Sequence, residues 1–315
     1  MKLWYRSVMI NPFAVPETPL LPKAVFIVGP TASGKSTLGL ALAKRFEGEV
    51  VNADSRQIYR GLEIGTSVPE EMLDIPHHLY TFLDPNLSIT VAEWKEMAQE
   101  KVREIFQRGH LPFVIGGTGL YIRALVDNPQ FPKVPPQHAW RQLMEQRQLK
   151  DLVADLLACD PDAATCVDLK NPRRVLRALE VATVTGTAFT AQKALGPPLV
   201  ESLQIGLRHE PDLLRARIES TVEAMVARGW VAEVQRLLDA GVSTQAISMT
   251  SLGYPQLVSV IQDELTLEEA IELIKKDVWA YARRQMTWFR KDPRIHWVNS
   301  EEEAAELVEA FLKKK

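Results

Sequence analysis

Gly29, Pro30, Thr31, Ala32, Ser33, Gly34, Lys35 and Ser36 form the octet GPTASGKS, which fits the phosphate-binding pattern GxxxxGK[ST] at every defined position. Glycines let successive backbone N–H groups turn inward around phosphate oxygens, and a helix opening at the lysine adds its N-terminal partial charge. Lys35 supplies a mobile cation and Ser36 a hydroxyl for phosphate or Mg2+. The competing reading is an ordinary Gly-rich turn, but the complete match between a strand candidate and a helix candidate favours phosphate. What the cradle holds is a separate matter. An ATPase of this kind usually ends another strand with a magnesium-binding carboxylate. Here the third strand candidate ends in Gly116-Gly117-Thr118-Gly119, and the acid at a suitable strand end is Asp54, within Asp54-Ser55-Arg56-Gln57-Ile58-Tyr59. That surrounding is too elaborate for a simple magnesium ligand, so a diphosphate ester other than ATP becomes a candidate.

The elements that must position these groups follow from short apolar runs and helical periodicity. AVFIV (24–28), EVVNA (49–53) and LPFVI (111–115) read as buried strands, with a helix from the octet to Phe46. The pair Thr90 and Glu93 forms a capping box, which predicts a helix to about Arg108. Strand, helix, strand, helix, strand with loops at the strand ends is the grammar of a parallel α/β sheet. NPQFPKVPPQ (128–137) then breaks the pattern with four prolines and reads as a hinge. From His138 to about Gln192 the patterns are helical. SLQIGL (202–207) returns the chain to the sheet, followed by helices at 211–228 and 230–239 and by a long helix opened by Thr266 and Glu269. A strand at 295–298 and a helix capped by Ser300 and Glu303 finish the chain. The expected fold is α/β: a P-loop-containing parallel sheet flanked by helices (23–128 and 200–315), an inserted helical domain (129–199) and an irregular N-terminal arm (1–22), in which Met9 is an alternative start.

Composition sets outer bounds. The 315 residues are 46% hydrophobic and 24% charged with a net charge of −3, which suits a soluble chain with a real core and excludes a uniformly basic nucleic-acid coat. Cys159 and Cys166 are the only thiols, too few for a disulfide framework or a four-ligand zinc site, and their spacing in a helical stretch reads as core filling. No run approaches the roughly 18 apolar residues of a membrane span, and the N-terminus does not read as an export signal. A cytoplasmic setting with no membrane is expected. Adjacent His77 and His78 make a poor metal site without a thiol nearby and are expected in structural or phosphate-proximal roles.

Taken together, GPTASGKS (29–36), ADSRQIYRGLEIGTSVP (53–69), GGTGLY (116–121), NPRRVLRALEV (171–181), SLGY (251–254) and YARRQMTWFRKD (281–292) resemble the tRNA dimethylallyltransferases, also called tRNA isopentenyltransferases, from about Lys23 to Val298. The resemblance implies transfer of a dimethylallyl group from dimethylallyl diphosphate to the N6 amine of the adenosine 3′ of the anticodon, in tRNAs that read codons starting with U. The octet would then hold the donor diphosphate, assisted by Mg2+ at Ser36, in agreement with the missing magnesium carboxylate.

An adenine amine is a weak nucleophile, so the chemistry needs a stabilised leaving group and a proton acceptor. Lys35, Ser36 and the amides of 31–36 suit the first task. The resemblance assigns the second to Asp54, which as an isolated residue would read as a loop or cap carboxylate, and places Thr118 near the donor oxygen. It implies Arg217 as a diphosphate clamp, although the family pattern carries a further arginine where this chain has Thr221. A target base stacked in an anticodon arm must be flipped out. Ser55 and Gln57 are expected to hydrogen-bond its edges, Gln57 having the donor–acceptor pair that suits adenine, and the tRNA-binding set extends to Arg56. Lys170, Arg173, Arg174 and Arg177 form one basic cluster. Arg283, Arg284, Arg290, Lys291 and Arg294, interleaved with Tyr281, Trp288 and Phe289, form another. Either alone reads as a solvated helix face; two in a net-acidic chain suggest an RNA-facing side. By resemblance, Arg141 reaches tRNA and the loop bearing Gly253 and Tyr254 lies against the anticodon, with Pro255 where a basic residue is common. The rival readings are a small-molecule kinase, an adenylate isopentenyltransferase acting on free AMP, and a nucleotide-gated RNA-binding module. A monomer with no obligate protein partner is expected.

Overall fold

The computed structural model describes residues 21–69 and 75–314. Residues 1–20 of the expected arm, with the alternative start, lie outside the described residues. The elements run β1 (Lys23–Val28), α1 (Lys35–Arg45), β2 (Gly48–Asn52), β3 (His77–His78), α2 (Val91–Gln107), β4 (Leu111–Gly116) and α3 (Gly119–Val126). The insertion follows as β5 (Pro129–Gln130), α4 (His138–Glu145), α5 (Leu149–Cys159), α6 (Pro172–Thr185) and β6 (Ala194–Leu195). The chain returns through β7 (Glu201–Leu207), α7 (Pro211–Ala227), α8 (Trp230–Asp239), α9 (Tyr254–Ile261), α10 (Leu267–Phe289), β8 (Ile295–Val298) and α11 (Glu301–Lys313).

The main sheet has the order β3-β2-β4-β1-β7-β8, with every neighbouring pair parallel. Its central strands β1 and β4 are almost wholly apolar because both faces are covered, whereas β2 and β7 also bury Glu49, Asn52 and Gln204. Val25 and Ile27 pack with Leu38 and Leu42 of α1 and Val308 of α11, whereas Phe26 and Val28 face Trp94 of α2 and Leu125 of α3. Val28 sits opposite both Gly116 and Gly206, and Asn52 opposite Ile115. The loops carrying the octet, Asp54 and Thr118 therefore leave the sheet at one level of one edge, where open parallel sheets bind ligands. The capping boxes at Thr90 and Thr266 are both formed, and Ser300 accepts from the Glu303 amide.

Two further cores hold the surroundings. Trp230 and Tyr254 pack with Ile58, Leu62 and Met249 among α7–α10, and Leu152, Leu156, Val175 and Leu179 form the centre of the insertion. The insertion is fastened at Asn128, whose carbonyl accepts from Gly196 N (2.8 Å) and whose side chain donates to Pro197 O (2.7 Å) and accepts from Lys95 Nζ (2.9 Å). The short strands β3, β5 and β6 and helices α3 and α9 were not expected from the sequence. His78 lies on the sheet edge and bonds Glu49, a 2%-exposed carboxylate also held by Arg108 and His110, which is a structural role. Among the described residues no cluster suits a metal on protein ligands alone. Cys159 and Cys166 are exposed, which corrects their reading as core residues: the buried face of α5 is carried by Leu152 and Leu156 instead.

Candidate active site

The octet forms a turn from β1 into α1. Gly34 holds a left-handed φ of 83° at the N-cap, and a Cβ there would lie 3.2 Å from Arg217 Nη2. Arg217 of α7 thus reaches across to the phosphate loop. Lys35 is buried and donates to Pro30 O. Burial pushes its ammonium below the usual lysine range, and the Asp54 carboxylate counteracts part of that fall.

Asp54 follows β2. Its N–H donates to the buried Asn52 Oδ1 (2.8 Å), and its own Oδ1 accepts from Arg56 N (2.9 Å). Thr118 Oγ1 accepts from Ser55 N (3.0 Å), and Thr118 N donates to Ala53 O (3.2 Å), so the ends of β2 and β4 are stitched together. Lys35, Ser36, Asp54, Thr66, Arg217 and Thr221 line one cavity of about 600 Å³. A second, of about 320 Å³, shares Thr31, Asp54 and Thr221 with the first. Its walls include Ile218, Val222, Met225, Trp230 and Val278, with Ser55, Arg56, Tyr281 and Arg284 at polar positions. Burial pushes the Tyr281 phenol up to about 12, above its already high ordinary value. A charged, donor-rich chamber joined to an apolar-walled one suits a diphosphate ester with a small hydrocarbon tail.

A third groove, of about 590 Å³, is lined by Arg174 of the insertion and by Arg283, Arg284, Trp288 and Lys291 of α10 and its end. Arg174 of the first basic cluster thus meets Arg283, Arg284 and Lys291 of the second, with Arg284 shared between this groove and the apolar-walled cavity. Arg173 is exposed on α6 outside that lining.

Several of the residues singled out in the sequence have partners within the fold. Arg141 and Arg177 both bind the fully buried Glu180, which also accepts from Gln137 N. Burial opposes ionisation of Glu180, yet the arginine and backbone hydrogen bonds hold it down at about 2. These two cations secure the insertion. Gln57 spends its Nε2 on Thr66 O and Ser67 O (2.9 Å each), fixing a wall of the cavity and leaving no amide donor for a base. Tyr254 is wholly buried, its hydroxyl donating to Glu233 Oε1 (2.7 Å), and Gly253 packs over Trp230. Glu233 in turn accepts from the Ile64 and Gly65 amides, so this pair shapes the loop after Gln57. Thr31 N–H is directed to Gln285 Oε1 (2.9 Å) and is not free for a phosphate. Sequence reasoning missed Gln285, Glu233 and His209, whose Nε2 bonds Ser33 O (2.6 Å); only Gln285 carried a signal, its place inside YARRQMTWF.

The chain is similar to known proteins along most of its length. The profile of the family described as IPP transferase matches residues 57–292. A tRNA dimethylallyltransferase from Thermomicrobium roseum is 44% identical over 279 residues, 87% of this chain and 85% of that protein. The tRNA dimethylallyltransferase 2 of Geotalea uraniireducens is 41% identical over 293 residues, 90% and 94% of the two chains. Among solved structures, the tRNA isopentenylpyrophosphate transferase of Bacillus halodurans aligns with a TM-score of 0.68 at 35% identity, covering 92% of this chain and 95% of that one. A eukaryotic dimethylallyltransferase acting on tRNA aligns at 0.78 with 26% identity, covering 92% and 79%. With the family profile spanning most of its length and relatives above 40% identity along nearly all of it, the chain belongs to the IPP transferase family, that of the tRNA dimethylallyltransferases.

Proposed function

We propose that this protein transfers the dimethylallyl group of dimethylallyl diphosphate to the N6 amine of the adenosine 3′-adjacent to the anticodon, in tRNAs reading codons that start with U. The observation that carries this reading is the junction at Asp54 of a cationic cavity and an apolar-walled cavity, beside a basic aromatic groove. The diphosphate sits against Lys35, Ser36, Arg217 and the N-terminus of α1. As the adenine nitrogen bonds the allylic carbon, the carbon–oxygen bond breaks and its electron pair leaves on the diphosphate. The amine proton passes to Asp54, while Thr118 holds the Asp54–Ser55 loop in place. The flipped base enters past Ser55, Arg56 and Arg284, and the phosphates of the anticodon arm lie on Arg174, Arg283 and Lys291.

Mg2+ suits this donor set. The ion takes one or two protein oxygens and completes its shell with phosphate oxygens and water, and the Ser36 hydroxyl and Asp54 carboxylate line one cavity. Ser36 would hold the ion, which when bound adds positive charge beside the departing diphosphate. We expect a cytoplasmic monomer, in keeping with a tRNA substrate; no described helix is long and apolar enough to cross a membrane.

The test is transfer of radiolabelled dimethylallyl diphosphate to an unmodified anticodon stem-loop, run beside free AMP. Label in the stem-loop supports the reading. Label in AMP alone would make the protein a cytokinin-type enzyme, and ATP hydrolysis without label would mean the octet holds a different ligand.

A further inference from the structure

We infer that Gln285 is a positioning residue that locks the diphosphate loop to the loop carrying Thr118, an inference that rests on the donor reading above. Gln285 is 5% exposed on α10, between the groove residues Arg284 and Trp288. Its carboxamide makes two bonds of opposite sense. Oε1 accepts from Thr31 N at 2.9 Å, and Nε2 donates to Gly117 O at 2.8 Å. A Cβ at Gly117 would lie 2.4 Å from that Nε2, so the glycine clears the space the amide occupies.

The connection continues to the chemistry. Residue 117 leads into Thr118, whose Oγ1 takes the Ser55 amide next to Asp54. One neutral side chain thus sets the distance between the donor cradle and the carboxylate that receives the proton. Glutamine alone among side chains of this reach offers an acceptor and a donor on one uncharged head. Glutamate keeps the first bond and turns the second into a repulsion against a carbonyl; methionine fills similar volume and makes neither. Misplacing bound reactants by a fraction of a bond length is costly in rate, so the effect should appear in donor use and turnover. The RNA groove is built from other side chains of the helix and should be spared.

The experiment compares wild type, Gln285→Met and Gln285→Glu in label transfer to the anticodon stem-loop, with inorganic diphosphate binding by calorimetry and circular dichroism on each. For Gln285→Met the expected result is a roughly tenfold higher donor KM and a roughly tenfold lower kcat, with the stem-loop KM within about twofold of wild type. Gln285→Glu should raise the donor KM further, because it adds negative charge beside the cradle. Faster hydrogen exchange confined to segments 29–36 and 116–119 would support the assignment. A folded Gln285→Met with unchanged donor KM and kcat overturns it, as does an equal rise in both KM values. Should the methionine variant fail to fold, the glutamate variant decides by the same split. Wild type that binds no diphosphate would overturn the donor reading and this inference together, whereas wild type that binds it beside an indifferent Gln285→Met overturns the inference alone.

Discussion

Replacing Asp54 by asparagine separates its charge from its place in the loop. The Oδ1 that accepts from Arg56 N at 2.9 Å is retained in asparagine, so the turn after β2 should keep its shape. What disappears is the proton acceptor and a negative charge that supports the Lys35 ammonium against burial. Loss of a positioned base lowers turnover by about 10²- to 10⁴-fold, and that is the expected fall in kcat. With Lys35 less readily protonated, the donor KM should rise, by no more than about tenfold if one cation among several is affected. Asp54→Ala also removes the hydrogen bond to Arg56, adding about 0.5–1.5 kcal/mol of destabilisation. The assay is steady-state transfer to the anticodon stem-loop at varied donor concentration, with thermal unfolding of each variant alongside. An Asp54→Asn protein that keeps more than about a tenth of the wild-type kcat would refute the assignment of Asp54 as base.

The division of the arginines into groove and clamp is tested by salt. Arg174→Ala should lower the slope of log binding constant against log salt for the stem-loop by about 0.7–0.9, whereas Arg141→Ala should leave that slope unchanged and destabilise the fold by about 1–3 kcal/mol, read by denaturant titration. Tyr254→Phe takes one donor from the buried Glu233 and should cost about 1–3 kcal/mol in the same titration, with stem-loop affinity in the folded protein unaltered. Glu49 is held at about 2, burial being overcome by Arg108, His78 and His110. A lowered carboxyl stabilises the fold fully above its unfolded value and loses that contribution as pH falls through the folded one. About 3 kcal/mol should therefore disappear between about pH 4.5 and 2. Melting curves should show this acid loss in wild type and a smaller one in Glu49→Gln.

How much of this was legible in the sequence depends on the range of the interactions. The octet, the three helix caps and the buried strands are local: each is decided by residues within a turn or a run of five, and each appears where expected. β3 has two residues and exists because β2 offers it an edge, so no periodicity could announce it. Arg177 looked like an RNA ligand because a sequence shows its charge, and Arg141 was placed on tRNA by resemblance alone; neither reading could see Glu180 buried between them. Tyr254 was misread for a related reason. Its partner Glu233 lies 21 residues earlier and its shared carbonyl, Leu62, 192 residues earlier, so only the folded helical cluster reveals that the hydroxyl faces inward.

Thr221 shows how the departure from the family pattern fits the rest of the site. It lines both cavities at their junction, and its Oγ1 donates to Arg217 O at 2.7 Å, turning the hydroxyl toward its own helix. A long cationic side chain at this position would project toward the passage between the charged and the apolar-walled space, close to Arg217. The short threonine leaves that passage open, and on the proposed function the diphosphate is left to Arg217, Lys35 and the amides at the start of α1. Across the cradle, a Cβ on Gly34 would lie 3.2 Å from Arg217 Nη2, close enough that the guanidinium would have to give way by a few tenths of an ångström, and the left-handed φ of 83° there also favours glycine.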